Sequence, residues 1–281
     1  MTFSAIFASA TLTHIVLRAL VVGVLVSVCS SLLGVTLVLK RQSMIGDGLS
    51  HVGFFGLALS AIAGVSATYS MEISIPVVVG AAFLILRLSK NEGKMNGDAA
   101  CAVVSTGAVA VGTLLYNISG GKAGDICSSL FGSASIVTIS DKDMILSLIL
   151  ALAVIMWFAR YAKAIFAVTF DETFSKAAGL PIQKILGYLL AILTGLTIVV
   201  GMKLMGSIMI SAMLIFPSLT AMRLTKSYKK TVILSAVISV SCFIVGFFAA
   251  CFLSLQTGAA VVTVELLVFA AVCAIKAIKR K

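Results

Sequence analysis

The sequence predicts an all-α polytopic membrane protein with about eight or nine transmembrane helices, one of them broken or re-entrant. Of its 281 residues, 60% are hydrophobic and only 11% are charged, whereas a soluble domain carries roughly 25% charged residues. Apolar stretches of about 20 residues, long enough to cross a bilayer as a helix, recur along the chain. The strands of a membrane barrel would alternate apolar and polar residues, and the segments lack that alternation.

Apolar runs and the basic breaks between them divide the chain into candidate segments. These run at about 13–38, 46–67, 73–89, 98–118, 143–161, 185–202, 205–222, 231–254 and 258–278. Only the stretch GMKLMG separates segments six and seven, so these two are predicted to form a broken helix or a re-entrant pair. Eight full spans and one irregular piece fit the pattern equally well. No linker indicates a second domain, so residues 1–281 are expected to form a single transmembrane domain.

The basic residues predict the orientation, because cytoplasmic loops are enriched in lysine and arginine. Under nine crossings, most of the 21 basic residues fall on one side of the membrane, and acidic residues such as Glu72 and Asp141 fall on the other. The C-terminus is therefore predicted to be cytoplasmic. The net charge of +11 is spread over short clusters between apolar segments, which argues against a nucleic-acid partner.

No soluble catalytic domain is predicted, because the longest non-apolar stretches, about 119–142 and 159–184, are too short to fold alone. Neither GGKAG nor NEGKMNG supplies the Ser or Thr of the ATP-binding P-loop, and HExxH is absent. Five of the six cysteines lie in apolar segments and are expected to fill the core. Cys127 lies in a polar loop, and no disulfide is predicted.

The stretch MIGDGLSH contains a candidate metal-binding pair. Asp47 and His51 are spaced i, i+4, which places both on one face of a helix. Together they offer one oxygen and one nitrogen ligand, which suits a divalent transition metal. Asp47 as a helix N-cap is the alternative, but ionisable residues at membrane depth are costly and usually functional. Since two ligands are too few, we hypothesise that a two-fold homodimer brings two such pairs together.

The stretch TFDETFSKAAGLP, residues 169–181, predicts a short cytoplasmic helix. Thr169 and Glu172 have the spacing of a capping box, and Gly179 with the proline after it forms a stop signal. An apolar face that includes Phe170 either packs against the membrane helices of the same chain or docks a cytoplasmic partner.

A third stretch, residues 199–224, combines an apolar pattern with residues that interrupt a helix. Broken helices at membrane depth occur where they line a cavity or pack inside the protein, and a kinked packing helix is the commoner explanation. Glu265 lies in the last segment without an obvious partner, and His14 lies near the outer end of the first. The weaker candidates for lining a pathway are Lys203, Gly206, Ser207, Pro217 and Glu265.

Residues 32–60, 170–181 and 199–224 together resemble the membrane permeases of bacterial ABC importers for zinc, manganese or iron(II). Their order and spacing match those permeases, and the resemblance covers nearly the whole chain. Segments similar to SLIGDALSH are distinctive of that family, although Gly48 stands where a small residue such as alanine is common.

The resemblance implies roles for two of these stretches. Asp47 and His51 would be the metal-coordinating pair of the translocation path, although hydropathy places Asp47 close to the cytoplasmic end of segment two. The helix at about 169–181 would be the coupling helix that docks in a groove of the ATPase. The implied docking residues are Thr169, Phe170, Asp171, Glu172, Phe174, Lys176, Ala177 and Gly179.

The resemblance also implies partners and a location. The expected partners are a second permease protomer (identical or a paralogue), a cytoplasmic ABC ATPase that consumes the ATP, an extracytoplasmic metal-binding protein and membrane lipid. The expected cargo is Zn²⁺, with Mn²⁺ and Fe²⁺ as alternatives, and no cofactor is bound permanently. The expected location is the bacterial inner membrane. The competing prediction is a stand-alone secondary metal carrier or channel, in which the cytoplasmic helix has no evident role.

Overall fold

The computed structural model describes residues 10–64, 70–90, 97–120, 141–170, 182–253 and 255–279. These residues form α-helices and a few turns next to them. In chain order the helices are α1 (Ala10–Leu39), α2 (Met44–Ile62), α3 (Ser70–Lys90), α4 (Gly97–Ile118), α5 (Asp141–Phe170), α6 (Ile182–Met205), α7 (Ser207–Leu224), α8 (Tyr228–Leu253) and α9 (Thr257–Ile278).

Each predicted segment coincides with one of these helices. Among the described residues, seven helices are long and apolar enough to cross a membrane: α1, α2, α4, α5, α7, α8 and α9. Helix α6 contains a shorter apolar run, Leu186–Met202. The predicted all-helical, polytopic fold is confirmed.

Helix α1 lies at the centre of the bundle and packs against α5, α6, α7 and α8. Val22, Val26 and Leu33 are fully buried on it, and so are polar residues on its other faces, including Ser27 and Ser30. A helix buried on nearly all sides needs its polar groups satisfied inside the protein. The hydroxyl of Ser30 accordingly donates to the carbonyl oxygen of Ser27, at 3.1 Å.

Small residues let the central helices approach closely, as is common in membrane bundles. A Cβ atom at Gly34 of α1 would lie only 2.0 Å from the carbonyl oxygen of Leu214 in α7. The hydroxyl of Ser239 in α8 donates to the carbonyl oxygen of Ser27 in α1, at 3.1 Å. Close backbone contact and interhelical hydrogen bonds thus hold α7 and α8 against α1.

The predicted break between segments six and seven consists of one residue, Gly206. Its backbone angles, φ 89° and ψ 157°, belong to a region that is essentially restricted to glycine. Gly206 is buried, and its neighbour Met205 reaches Gly23 near the middle of α1. The break therefore lies inside the bundle. Helix α7 then continues through Pro217 to Leu224.

Candidate metal site

Helix α2 runs between four other helices because glycines leave room for each of them. Gly46, Gly48, Gly53 and Gly56 face α7, α4, α6 and α3, respectively. At Gly56, a Cβ atom would come within 3 Å of the Ser74 side chain, so the helices are in close contact there. This packing fixes the rotation of α2 and determines which of its residues remain uncovered.

Asp47 and His51 lie on the uncovered face of α2, as their spacing predicts. The Nε2 atom of His51 is 3.6 Å from the Oδ2 atom of Asp47, and 25% of the His51 side chain and 46% of the Asp47 side chain are exposed. The Nδ1 atom of His51 is buried and has no hydrogen-bond partner in the described part of the chain. Asp47 Oδ2 and His51 Nε2 can therefore face the same ion.

The alternative role of Asp47 as a helix N-cap is wrong. Helix α2 begins at Met44, and Ser43 occupies the N-cap position, so Asp47 lies within the first turn. Its own carbonyl oxygen accepts a hydrogen bond of 2.7 Å from the Ser50 hydroxyl. The Asp47 carboxylate is thus available to His51 and to a ligand.

The pair is recessed from the end of the bundle. Gly46 lies against Leu214 of α7, and the Ser211 hydroxyl of α7 is 3.4 Å from the Ser50 hydroxyl of α2. From Leu214, α7 continues to Leu224, which at 1.5 Å per residue adds about 15 Å. The family resemblance implies that Asp47 and His51 lie inside a pathway. Their recessed position is compatible with this, although both residues lie near the start of α2.

The described part of the chain offers two potential metal donors at this position. Within the described residues, no group of three or more His, Cys, Asp or Glu side chains could hold a metal ion. On the same side of α2, Met44 is exposed as well, whereas Phe54 and Ala58 farther along the helix are buried. The described part of this chain thus leaves the two donors partly uncovered near the start of α2.

The weaker pathway candidates lie in the interior of the protomer. Gly206, Ser207, Pro217 and Glu265 are all buried, whereas the side chain of Lys203 lies outside the described residues. The Ser207 hydroxyl and both carboxylate oxygens of Glu265 have no hydrogen-bond partner in the described part of the protein. A role in lining the pathway stays a prediction for these residues.

The predicted docking segment is described only at its first two residues. Thr169 and Phe170 form the end of α5, and the Thr169 hydroxyl donates to the carbonyl oxygen of Ile165, at 2.5 Å. The capping-box role of Thr169 stays a prediction, because Glu172 lies outside the described residues. The other predicted docking residues, Asp171, Glu172, Phe174, Lys176, Ala177 and Gly179, lie outside the described residues.

Sequence analysis did not single out the contact between Ser50 and Ser211, which positions the inner side of the site. A signal was present, because serine recurs next to glycine and alanine in these two apolar segments. Small polar residues in membrane helices often mark helix–helix contacts.

Comparison with known proteins identifies the family. The ABC 3 transport family matches residues 13–276. The chain belongs to this family.

Relatives of this ABC 3 transport family chain agree with the match. It is 28% identical over 253 residues to the manganese transport system membrane protein MntC of Listeria monocytogenes, covering 90% of this chain and 87% of the relative. It is 30% identical over 254 residues to a probable iron transport system membrane protein of Haemophilus influenzae, covering 88% of this chain and 89% of the relative. The sequence-based prediction of a metal ABC permease is confirmed.

A solved structure shows the same architecture as this family member. PsaBC from Streptococcus pneumoniae in complex with Fab superimposes with a TM-score of 0.79 at 26% identity, over 96% of this chain and 93% of that one. The chain is thus a multi-pass membrane protein with the fold of a metal ABC permease.

Proposed function

We propose that this permease carries a divalent transition metal inward and that Asp47 and His51 bind the ion during passage. The observation that supports this most directly is a carboxylate beside an imidazole on the uncovered, recessed face of α2. A half-exposed carboxylate facing lipid would be costly, so this face must border water or another protein surface.

A second copy of the chain is the partner that completes the site. A two-fold axis beside α2 would bring together two Asp47 carboxylates and two His51 imidazoles. Four donors satisfy the coordination that one protomer leaves incomplete. The same axis would cover Met44, which is exposed in the single chain.

We propose Mn²⁺ or Fe²⁺ as the cargo ahead of Zn²⁺. Relatives of this chain include proteins named for manganese transport and one named for probable iron transport. Carboxylate oxygens suit Mn²⁺, and imidazole suits both iron and zinc, so the donor set of Asp47 and His51 accommodates this choice. Zinc, the first expectation from the sequence, stays an alternative.

We propose that a separate ATPase drives this transport and that an extracytoplasmic binding protein delivers the ion. The segment at 169–181, which begins at the end of α5, would be the surface on which the ATPase acts. Docking of the ATPase on this segment would tilt the two protomers relative to each other. This movement would open the site to alternate sides of the inner membrane, with the C-terminus in the cytoplasm. Metal uptake by the permease alone in liposomes would contradict this mechanism and favour a stand-alone carrier.

The metal content of the purified permease tests the proposed site. After equilibration with Mn²⁺, Fe²⁺ or Zn²⁺, we expect one tightly held ion per two chains, and a loss of at least about tenfold in affinity for Asp47→Ala and His51→Ala. Glu72→Ala and His14→Ala are matched controls that remove a carboxylate and the only other histidine. Equal metal content in all four variants and the parent would exclude Asp47 and His51 as ligands.

A further inference from the structure

A cavity of about 580 Å³ lies between the end of α5 and the start of α8, away from the metal site. Its apolar wall is aromatic and its rim is basic. The wall is formed by Phe166, Phe170 and Tyr228, and the rim by Lys163, Lys226 and Lys229.

The helix packing explains why a cavity forms here. Helices α5 and α8 each pack along α1 but scarcely contact each other. At this end they are connected through aromatic rings, with centroids 5.3 Å apart for Phe166 and Tyr228 and 4.7 Å apart for Phe166 and Phe170. The result is a cleft with a rigid aromatic side between two membrane helices.

Within the described residues, the charged side chains that line the cavity are all basic. Lys163, Lys226 and Lys229 are all exposed, and no Asp or Glu lies among the described residues that line the cavity. Tyr228 begins α8, and the N-terminal end of a helix adds partial positive charge. The cavity thus combines an apolar wall with a site that favours an anion.

The surface pattern places the cavity at the level of the lipid headgroups. On α5 the exposed residues Leu152 and Met156 lie on one face before the kink at Tyr161, and the exposed Lys163 follows that kink. On α8 the exposed residue Ile233 follows Lys229 by four residues on one face. Both lipid-facing stripes therefore end in lysines at this cavity, which is where basic side chains meet headgroups.

We propose that this cavity is a binding site for an anionic phospholipid. The phosphate lies among Lys163, Lys226 and Lys229, and the first part of an acyl chain lies against Phe166 and Tyr228. Basic pockets between membrane helices on the cytoplasmic side are suited to such headgroups. The proposal requires only that the chain is embedded in a membrane, and it does not depend on the metal site.

Lipid competition measured by native mass spectrometry tests this site. The permease is delipidated in detergent and given an equimolar mixture of phosphatidylglycerol and phosphatidylcholine. We expect the parent protein to retain phosphatidylglycerol preferentially. In the triple variant Lys163→Gln, Lys226→Gln, Lys229→Gln, the ratio of bound phosphatidylglycerol to bound phosphatidylcholine should fall at least about tenfold, because each lysine near an anionic lipid contributes roughly 1 kcal/mol. The matched control is Arg87→Gln, Lys276→Gln, Lys279→Gln, which removes the same number of positive charges at residues that do not line the cavity and should leave the preference unchanged.

A third variant separates loss of the site from loss of folding. Ser227→Glu adds a negative charge at an exposed position of the cavity and should also weaken phosphatidylglycerol binding several-fold, while both cavity variants keep the unfolding temperature of the parent. Equal lipid preference in the cavity variants and the control variant would overturn the proposal.

Discussion

Glu265 is a buried carboxylate for which the described bundle offers no hydrogen-bond partner. It lies in α9 with 1% of its surface exposed, and neither carboxylate oxygen has a hydrogen-bond partner in the described part of the chain. A buried charge without a partner costs several kcal/mol. The surroundings of Glu265 therefore favour an uncharged side chain of the same shape.

This reasoning predicts the effect of Glu265→Gln. The amide keeps the size of the side chain and cannot carry a charge, so we expect the free energy of unfolding to stay the same or to rise by up to about 2 kcal/mol. Glu265→Ala should instead lower it by about 1–3 kcal/mol, because the truncation leaves a cavity. Thermal unfolding in detergent compares the two variants with the parent. A glutamine variant less stable than the alanine variant would mean that the carboxylate is paired in the assembled protein.

At the scale of the element, the contact between α1 and α7 depends on a glycine. A methyl group at Gly34 would collide with the Leu214 carbonyl oxygen, at 2.0 Å, and with the Ser218 hydroxyl, at 2.8 Å. The first of these atoms belongs to the backbone and cannot rotate away. The two helices would have to separate to accept any larger residue.

We therefore expect Gly34→Ala to lower the free energy of unfolding by about 1–3 kcal/mol, the usual cost of overpacking. Gly80→Ala in α3 is the matched control, because nothing lies within 4 Å of its Cβ position. It should stabilise its helix by up to about 1 kcal/mol, since alanine is the better helix former. The same unfolding assay measures both. Equal stability of the two variants would contradict the close contact between α1 and α7.

The break between α6 and α7 is the second feature at this scale. Gly206→Ala would force a side chain into backbone angles that only glycine adopts readily, so we expect a loss of about 1–3 kcal/mol. Gly187→Ala, in the regular part of α6 with open space at its Cβ position, should be neutral or stabilising. Purification yield and unfolding temperature distinguish them. A Gly206→Ala protein as stable as the parent would show that the helix can pass this point without a break.

At the scale of the whole molecule, an odd number of crossings places the two termini on opposite faces of the membrane. The basic residues predict that the C-terminal end, with Lys276 and Lys279, is cytoplasmic. With nine crossings, in which α3 and α6 also span the membrane, the turn after α4 at Ser119 and Gly120 would face outward.

Labelling of single cysteines tests this orientation. In a protein whose native cysteines are replaced, we expect Ser119→Cys to react with a membrane-impermeant maleimide in intact cells. Lys279→Cys should react only after the cells are opened. Reaction of both in intact cells, or of neither, would place these two sites on one face and exclude the nine-crossing arrangement.

Local patterns predicted many features of this protein correctly. Hydropathy located the helices, and the four-residue spacing of Asp47 and His51 placed them on one face, because the geometry of a helix is the same in any environment. The glycine-rich stretch around Gly206 predicted a broken helix, since backbone freedom is a property of the residue itself. The end of α5 was predicted wrongly at about residue 161, because charged residues mark the edge of the apolar region there. The helix itself continues past a kink at Tyr161 to Phe170.

The sequence by itself thus determined the class of fold, the helices, the position of the break and the pairing of two potential metal ligands. Only the tertiary structure decided that Asp47 and His51 lie on the uncovered face, that Glu265 is sealed inside and that α5 and α8 leave a basic cavity between them. The physical reason is that periodicity and hydropathy act within one helix. Which residues are buried or recessed depends on which helices approach each other. In this protein, the approach of the helices depends on close contacts such as those at Gly34, Gly46 and Gly53.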